Sequence, residues 1–135
     1  MKNTIAAIFI VFALFGCTNK KEQVKTLLND VIKVHDKVMA ADEQLMKNKM
    51  QLDTLLKLDK LSGKDTAKLL IAKLARADSA MENWMHNFDP DQTGKSDDEA
   101  LSYMNGQKKQ IMVIDSQIDA VVAESNNYLD KIKTK

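Results

Sequence analysis

The chain has 135 residues, with 20 Lys plus Arg against 19 Asp plus Glu, a formal charge of +1, one cysteine, one proline and four glycines. That balance lacks the basic excess of nucleic-acid binders, and a single thiol excludes a disulfide framework or a zinc knuckle. So few breakers, and no Ser- or Gly-rich tract, leave one domain of long elements joined by two or three turns.

The chain opens MKNTIAAIFIVFALFGC. Lys2 gives a short positive start, and Ile5 to Phe15 is an apolar run too short to cross a bilayer as a helix, which needs about 20 residues. Leu14, Phe15, Gly16 and Cys17 then resemble a bacterial lipobox, with a small residue before the cysteine. The resemblance implies a signal peptide over 1–16 and a lipid-modified N-terminus at Cys17. Removing 1–16 removes Lys2 and no acid, so the remaining 119 residues balance at zero charge. Residues 17–22 read as a polar tether and 23–135 as the folded domain.

Apolar residues then recur at steps of three and four. Val24, Leu27, Leu28, Val31, Val34, Val38, Ala41, Leu45, Leu52, Leu55 and Leu56 share one face of a helix predicted over 22–60. Gly63 reads as its left-handed stop and Asp65 as the next N-cap. A second helix over 65–87 carries Ala67, Leu70, Ile71, Leu74, Ala77, Met81, Trp84, Met85 and Phe88. It ends before Pro90. Ser96-Asp97-Asp98-Glu99 is a capping box that opens a third helix. Its stripe runs through Leu101, Met104, Ile111, Ile114, Ile118, Val121, Val122, Leu129 and Ile132, with Gly106 a weak point. Short connections make neighbouring helices antiparallel. The expected fold is all-α, an up-down-up three-helix bundle or coiled coil. The middle helix is the shortest, so an end of the outer two projects beyond it.

Two stretches, VIKVHDKVMAADEQLMKNKMQL and IAKLARADSAMENWMHNFDP, resemble a group of small bacterial envelope lipoproteins often labelled viral A-type inclusion proteins. His35-Asp36, Val38-Met39, Ala77-Asp78, Ala80-Met81, Trp84-Met85 and Phe88 carry the likeness, while the third helix is generic. The resemblance implies a coiled-coil domain tethered in the envelope and no established reaction.

Several residues invite a chemical reading. His35, Asp42 and Lys49 follow at steps of seven on the apolar arc of the first helix, and Asp78 interrupts that of the second. Asp42 and Asp78 read as a polar core that fixes alignment. Folding the first two helices about a turn near residue 62 brings position 39 level with 85, 46 level with 78, and His35 near Phe88 and Asp89. His35, Met39, Met85 and His86 then gather with Trp84 at one end. Thioether and imidazole donors suit copper(I), although methionine is also a flexible core filler. Asp89, Asp91, Thr93 and Gly94 occupy the first, third, fifth and sixth places of an EF-hand loop. The twelfth place, which needs a bidentate carboxylate, is Ala100. No phosphate loop, His-Glu-x-x-His or nucleophile elbow is present. Tyr103 and Tyr128 lie off the main stripes and offer contact surfaces. The sequence therefore reads as a non-enzymatic protein, lipid-anchored in the envelope, by expectation in the outer membrane and facing the periplasm. It is expected to work through an envelope protein partner or self-association, with copper(I) or weak calcium binding as the alternatives and no other cofactor.

Overall fold

A computed structural model describes residues 19–61 and 63–133. The leader and Cys17 lie outside the described residues. Three helices account for nearly all of the rest: α1 Lys20–Lys57, α2 Lys64–Asn87 and α3 Asp97–Lys133. At about 1.5 Å per residue they span roughly 57, 36 and 55 Å. Among the described residues none forms a strand, and no helix is long and apolar enough to cross a membrane. The all-α three-helix bundle is the fold expected.

The core follows the heptad lines. Val31, Val38, Leu45 and Leu52 step by seven along α1 and are fully buried. They meet Leu70, Leu74, Ala77, Met81 and Trp84 of α2 and Ile111, Ile114, Ile118, Val121 and Leu129 of α3. Removing a buried leucine such as Leu45 to alanine costs about 2–5 kcal/mol, because lost transfer energy adds to a cavity.

α1 and α3 run parallel at a constant offset. Lys20 reaches Asp98, Lys108 reaches Asp30, Lys37 reaches Asp115 and Asn48 reaches Asn126, each pair 78 residues apart. That repeated number fixes the register along some 28 residues. α2 runs back between them, with His35 facing Trp84 near one end and Tyr128 meeting Gly63 at the other. Because α2 is short, α1 and α3 continue past its C-terminal end as a pair, as the lengths suggested.

The first connection differs from the sequence reading. α1 stops at Lys57, not 60, in a Schellman turn: Lys60 N–H donates to the Leu55 carbonyl (3.0 Å) and Asp59 N–H to that of Leu56 (3.2 Å). Asp59 takes the left-handed conformation, φ +56°, which short acids tolerate. Gly63 has φ −115° and is the N-cap of α2, while Asp65 sits exposed in the first turn. What Gly63 supplies is space, since a Cβ there would lie 3.1 Å from the Tyr128 hydroxyl. Lys64 closes on Asp59 and holds its carboxyl below the usual range by donating a hydrogen bond and by its charge.

The second connection spans residues 88–96. Gly94 takes φ +85°, where other residues are strained. The capping box forms as read: Glu99 Oε2 accepts from the Ser96 amide (2.8 Å) and hydroxyl (2.7 Å), and Ser96 Oγ accepts from the Glu99 amide at 3.3 Å. These bonds lower the Glu99 pKa.

Candidate functional site

Ending α1 three residues early shifts the α1–α2 register by about one turn. His35 faces Trp84, with ring centroids 6.1 Å apart, rather than Phe88 and Asp89. Phe88 instead stacks on Trp84 at 4.8 Å. Met39 consequently falls level with about Met81 rather than Met85.

The proposed copper donors are not gathered. Met39 and Met85 are exposed, at 41% and 38%, so Met85 does not point inward. His86 is exposed and its Nδ1–H donates to the Glu82 carbonyl at 2.8 Å. His35 Nδ1 lies 3.1 Å from Asp36 Oδ1. Among the described residues, no three of His, Cys, Asp and Glu are placed to hold a metal ion. The methionines are mostly not core fillers either: only Met81 and Met104 of the seven described are buried.

In the loop, the carboxylates serve the backbone. Asp89 Oδ1 accepts from the Asp91 amide (2.9 Å), and Asp91 Oδ1 accepts from the Thr93 amide (2.9 Å) and hydroxyl (2.5 Å). The Thr93 bonds pull the Asp91 pKa down. These are two successive Asx turns. One oxygen of each carboxylate thus shapes the turn.

The tyrosines bind the interhelix connections. Tyr128 Oη donates to the Gly63 carbonyl at 2.9 Å. Tyr103 Oη accepts from the Asp89 amide at 2.8 Å, and Lys95 Nζ lies 4.5 Å above its ring. Each half-buried tyrosine of α3 thus fastens one interhelix connection, and neither offers the free contact surface expected.

Asp42 and Asp78 are half-buried on the facing flanks of α1 and α2. Burial and then the negative charge of Asp78 raise the Asp42 pKa. Neither carboxyl has a cation or a hydrogen-bond partner. They do form a polar stretch in the α1–α2 interface, but one of like charges.

The satisfied polar layer lies elsewhere and escaped the sequence reading. Asn48 and Ser125 are buried to 1% and 0% exposure. Asn48 Nδ2 donates to Ser125 Oγ (2.7 Å) and Asn126 Oδ1 (2.8 Å), and Asn48 Oδ1 accepts from Gln44 Nε2 (2.7 Å). Ser125 passes its hydrogen to the Val122 carbonyl. The available signal was Asn48 at the heptad step after Val34 and Ala41, a place where an amide specifies alignment.

A concave surface lies between α2 and α3. A groove of about 530 Å³ is lined by the apolar Ala80, Trp84, Val113 and Ile114 and the polar Asn83, Asn87, Gln110 and Gln117, together with Lys109. It continues along α3 over Met112, Ser116 and Ala120. The Trp84 Nε1 is buried there without a hydrogen-bond acceptor. Val113 and Met112 are exposed at 56% and 50%. No carboxylate lines either stretch, in a chain that is 29% charged. Charge depletion with exposed apolar and amide groups marks the centre of protein interfaces.

Comparison with protein-family models, curated proteins and solved structures finds no match.

Proposed function

We propose that this is a lipid-anchored protein of the bacterial envelope that works through protein contacts rather than catalysis. Its place in the envelope is supported by the lipobox-like Leu14–Cys17 and by the likeness of 31–52 and 71–90 to envelope lipoproteins. The observation that carries the contact reading is the α2–α3 face, which no carboxylate lines and where exposed Val113 and Met112 lie along an open groove. Lipid on Cys17 would fix the start of α1 at a membrane surface and leave that face free along the bundle. One acyl chain binds only reversibly, so durable anchoring requires more than one.

Feeding cells an alkyne fatty acid and labelling the protein tests the anchor. The chain is expected to carry label and the Cys17→Ser variant to lose it. An unlabelled chain that fractionates away from membranes would overturn the envelope reading. Crosslinking the full chain in its native membrane tests the contact reading, with a discrete adduct expected from residues on the α2–α3 face.

A further inference from the structure

The α2–α3 face without carboxylates is the feature the fold itself does not use. Elsewhere the exposed apolar line of α1 (Ile32, Met39, Met46) is interleaved with Lys33, Asp36, Glu43 and Lys47, as on an ordinary solvated helix face. The face between α2 and α3 is different in kind. Its rim groups are amides and a hydroxyl, and each of these both donates and accepts hydrogen bonds.

That chemistry selects among occupants. An anionic lipid surface is recognised by clusters of lysine and arginine, and this face has Lys109 alone. A strongly charged partner would meet no opposite charges. A two-fold interface puts the same patch against itself, so any charge near its centre would face its own like. A neutral, amide-rimmed patch is compatible with its own copy.

The order of residues along α3 carries this further. We infer that a second copy of this chain docks on the α2–α3 face, with the two α3 helices antiparallel about a two-fold between Ser116 and Gln117. This rests on the contact reading above and names the partner. In that arrangement positions that sum to 233 lie level. The exposed Val113 comes level with the small Ala120 of the other copy, a projection against a recess. Ser116 meets Gln117. Lys109 reaches Glu124, the first carboxylate beyond the groove. Glu124 is half exposed and already accepts from Lys73 Nζ on both oxygens at 2.8 Å, and each oxygen keeps a further lone pair for a second cation. The pairing thus has neutral, donor–acceptor groups at its centre and opposite charges at both ends.

The test is the mass of the full chain in detergent by light scattering, over about 1 to 100 µM, since assembly follows mass action. A dimer is expected. Val113→Glu leaves the bundle core untouched, because Val113 is exposed. It is expected to weaken assembly at least about tenfold, or 1.4 kcal/mol, with unchanged helical circular dichroism. Lys109→Glu should weaken it, and Lys109→Glu with Glu124→Lys should restore it. In vesicles, Ser116→Cys should crosslink copy to copy on oxidation, with the parent chain, which holds only Cys17, as control. A monomer at every concentration, or a dimer indifferent to Val113→Glu, overturns the inference. A charge swap without rescue overturns the antiparallel geometry. If the native-membrane crosslink instead captures a different protein through this face, the contact reading stands and the second copy falls.

Discussion

The α1–α3 and α1–α2 interfaces share one helix and follow opposite rules. Across α1–α3, opposite charges meet at a fixed offset: Lys20 with Asp98, Asp30 with Lys108 and Lys37 with Asp115, and Lys37 also reaches Asp119 one turn further on. A buried, fully bonded amide layer sits among them. Across α1–α2, Asp42 opposes Asp78, and Lys64 at the start of α2 pairs with Asp59 in the turn. The connectivity explains the difference. α1 and α2 are joined by six residues, so their register is set by the chain itself. α1 and α3 are neighbours joined only through α2, and a heptad pattern alone would let them slide by seven residues. Their register has to be written in side chains that are right in one alignment only.

If that is so, the largest effect comes from Asn48. Asn48→Ala removes the donor to Ser125 Oγ and the nearer of two donors to Asn126 Oδ1, and opens a cavity. It should cost about 2–4 kcal/mol by thermal or urea unfolding. The sharper variant is Asn48→Leu with Ser125→Ala. Apolar replacement of both partners of a buried polar group can be nearly neutral in stability. The expected loss is in uniqueness: spin labels on α1 and α3 should report more than one separation. A single unchanged separation would show that the charged pairs suffice.

The α1–α2 side should respond in the opposite sense. The Asp42 pKa is raised in the folded protein, so ionising it opposes folding. Its contribution is absent below the ordinary carboxylate pKa of about 3.9 and becomes a cost as pH rises through the higher folded value. Asp42→Asn should therefore be more stable than the parent at pH 7, by less than Asn48→Ala loses. The advantage should shrink as pH falls and vanish near pH 4. An advantage that persists unchanged at pH 4 would mean that amide packing, not relief of the charge, is responsible.

The sequence showed which residues share a face, but not which face meets which neighbour. The stripes of Val31–Leu52 and Leu70–Trp84 and the capping box at Ser96 are local patterns with local causes, and they are where expected. The expected gathering of His35, Met39, Met85 and His86 rested on a register about four residues off. Asp59 ended α1 in a conformation more often given to glycine, and Gly63 served packing against Tyr128 instead. Asn48 and Ser125 have no compositional signature of burial, because asparagine and serine are mostly surface residues. The α2–α3 face is visible only once Ala80, Val113 and Gln117 are brought together from two helices.

A smaller change sharpens the comparison at the end where α1 and α3 continue without α2. Gly106 lies in this stretch of α3, and a Cβ there meets nothing within 4 Å. Gly106→Ala should stabilise by about 0.5–1 kcal/mol through helix propensity alone. If the gain is absent, the glycine has a use that the α1–α3 pairing does not explain.

The smallest expected effect concerns the exposed charges of the seam itself. Lys37 Nζ lies 2.8 Å from Asp115 Oδ1 but is aligned for hydrogen bonding with Oδ2, at 2.9 Å, and also bonds Asp119 Oδ2 at 2.8 Å. Those bonds raise its pKa, yet Lys37 is exposed, and such pairs add little net stability. Lys37→Met should hardly move the melting temperature in moderate salt. Whatever difference remains should disappear near 1 M salt, where screening acts within about 3 Å. Lys37→Glu is the informative partner experiment, because it sets three carboxylates together in the native register and in no other. If the seam charges choose alignment rather than supply stability, that variant should shift the α1–α3 spin-label distance, while Lys37→Met leaves it in place.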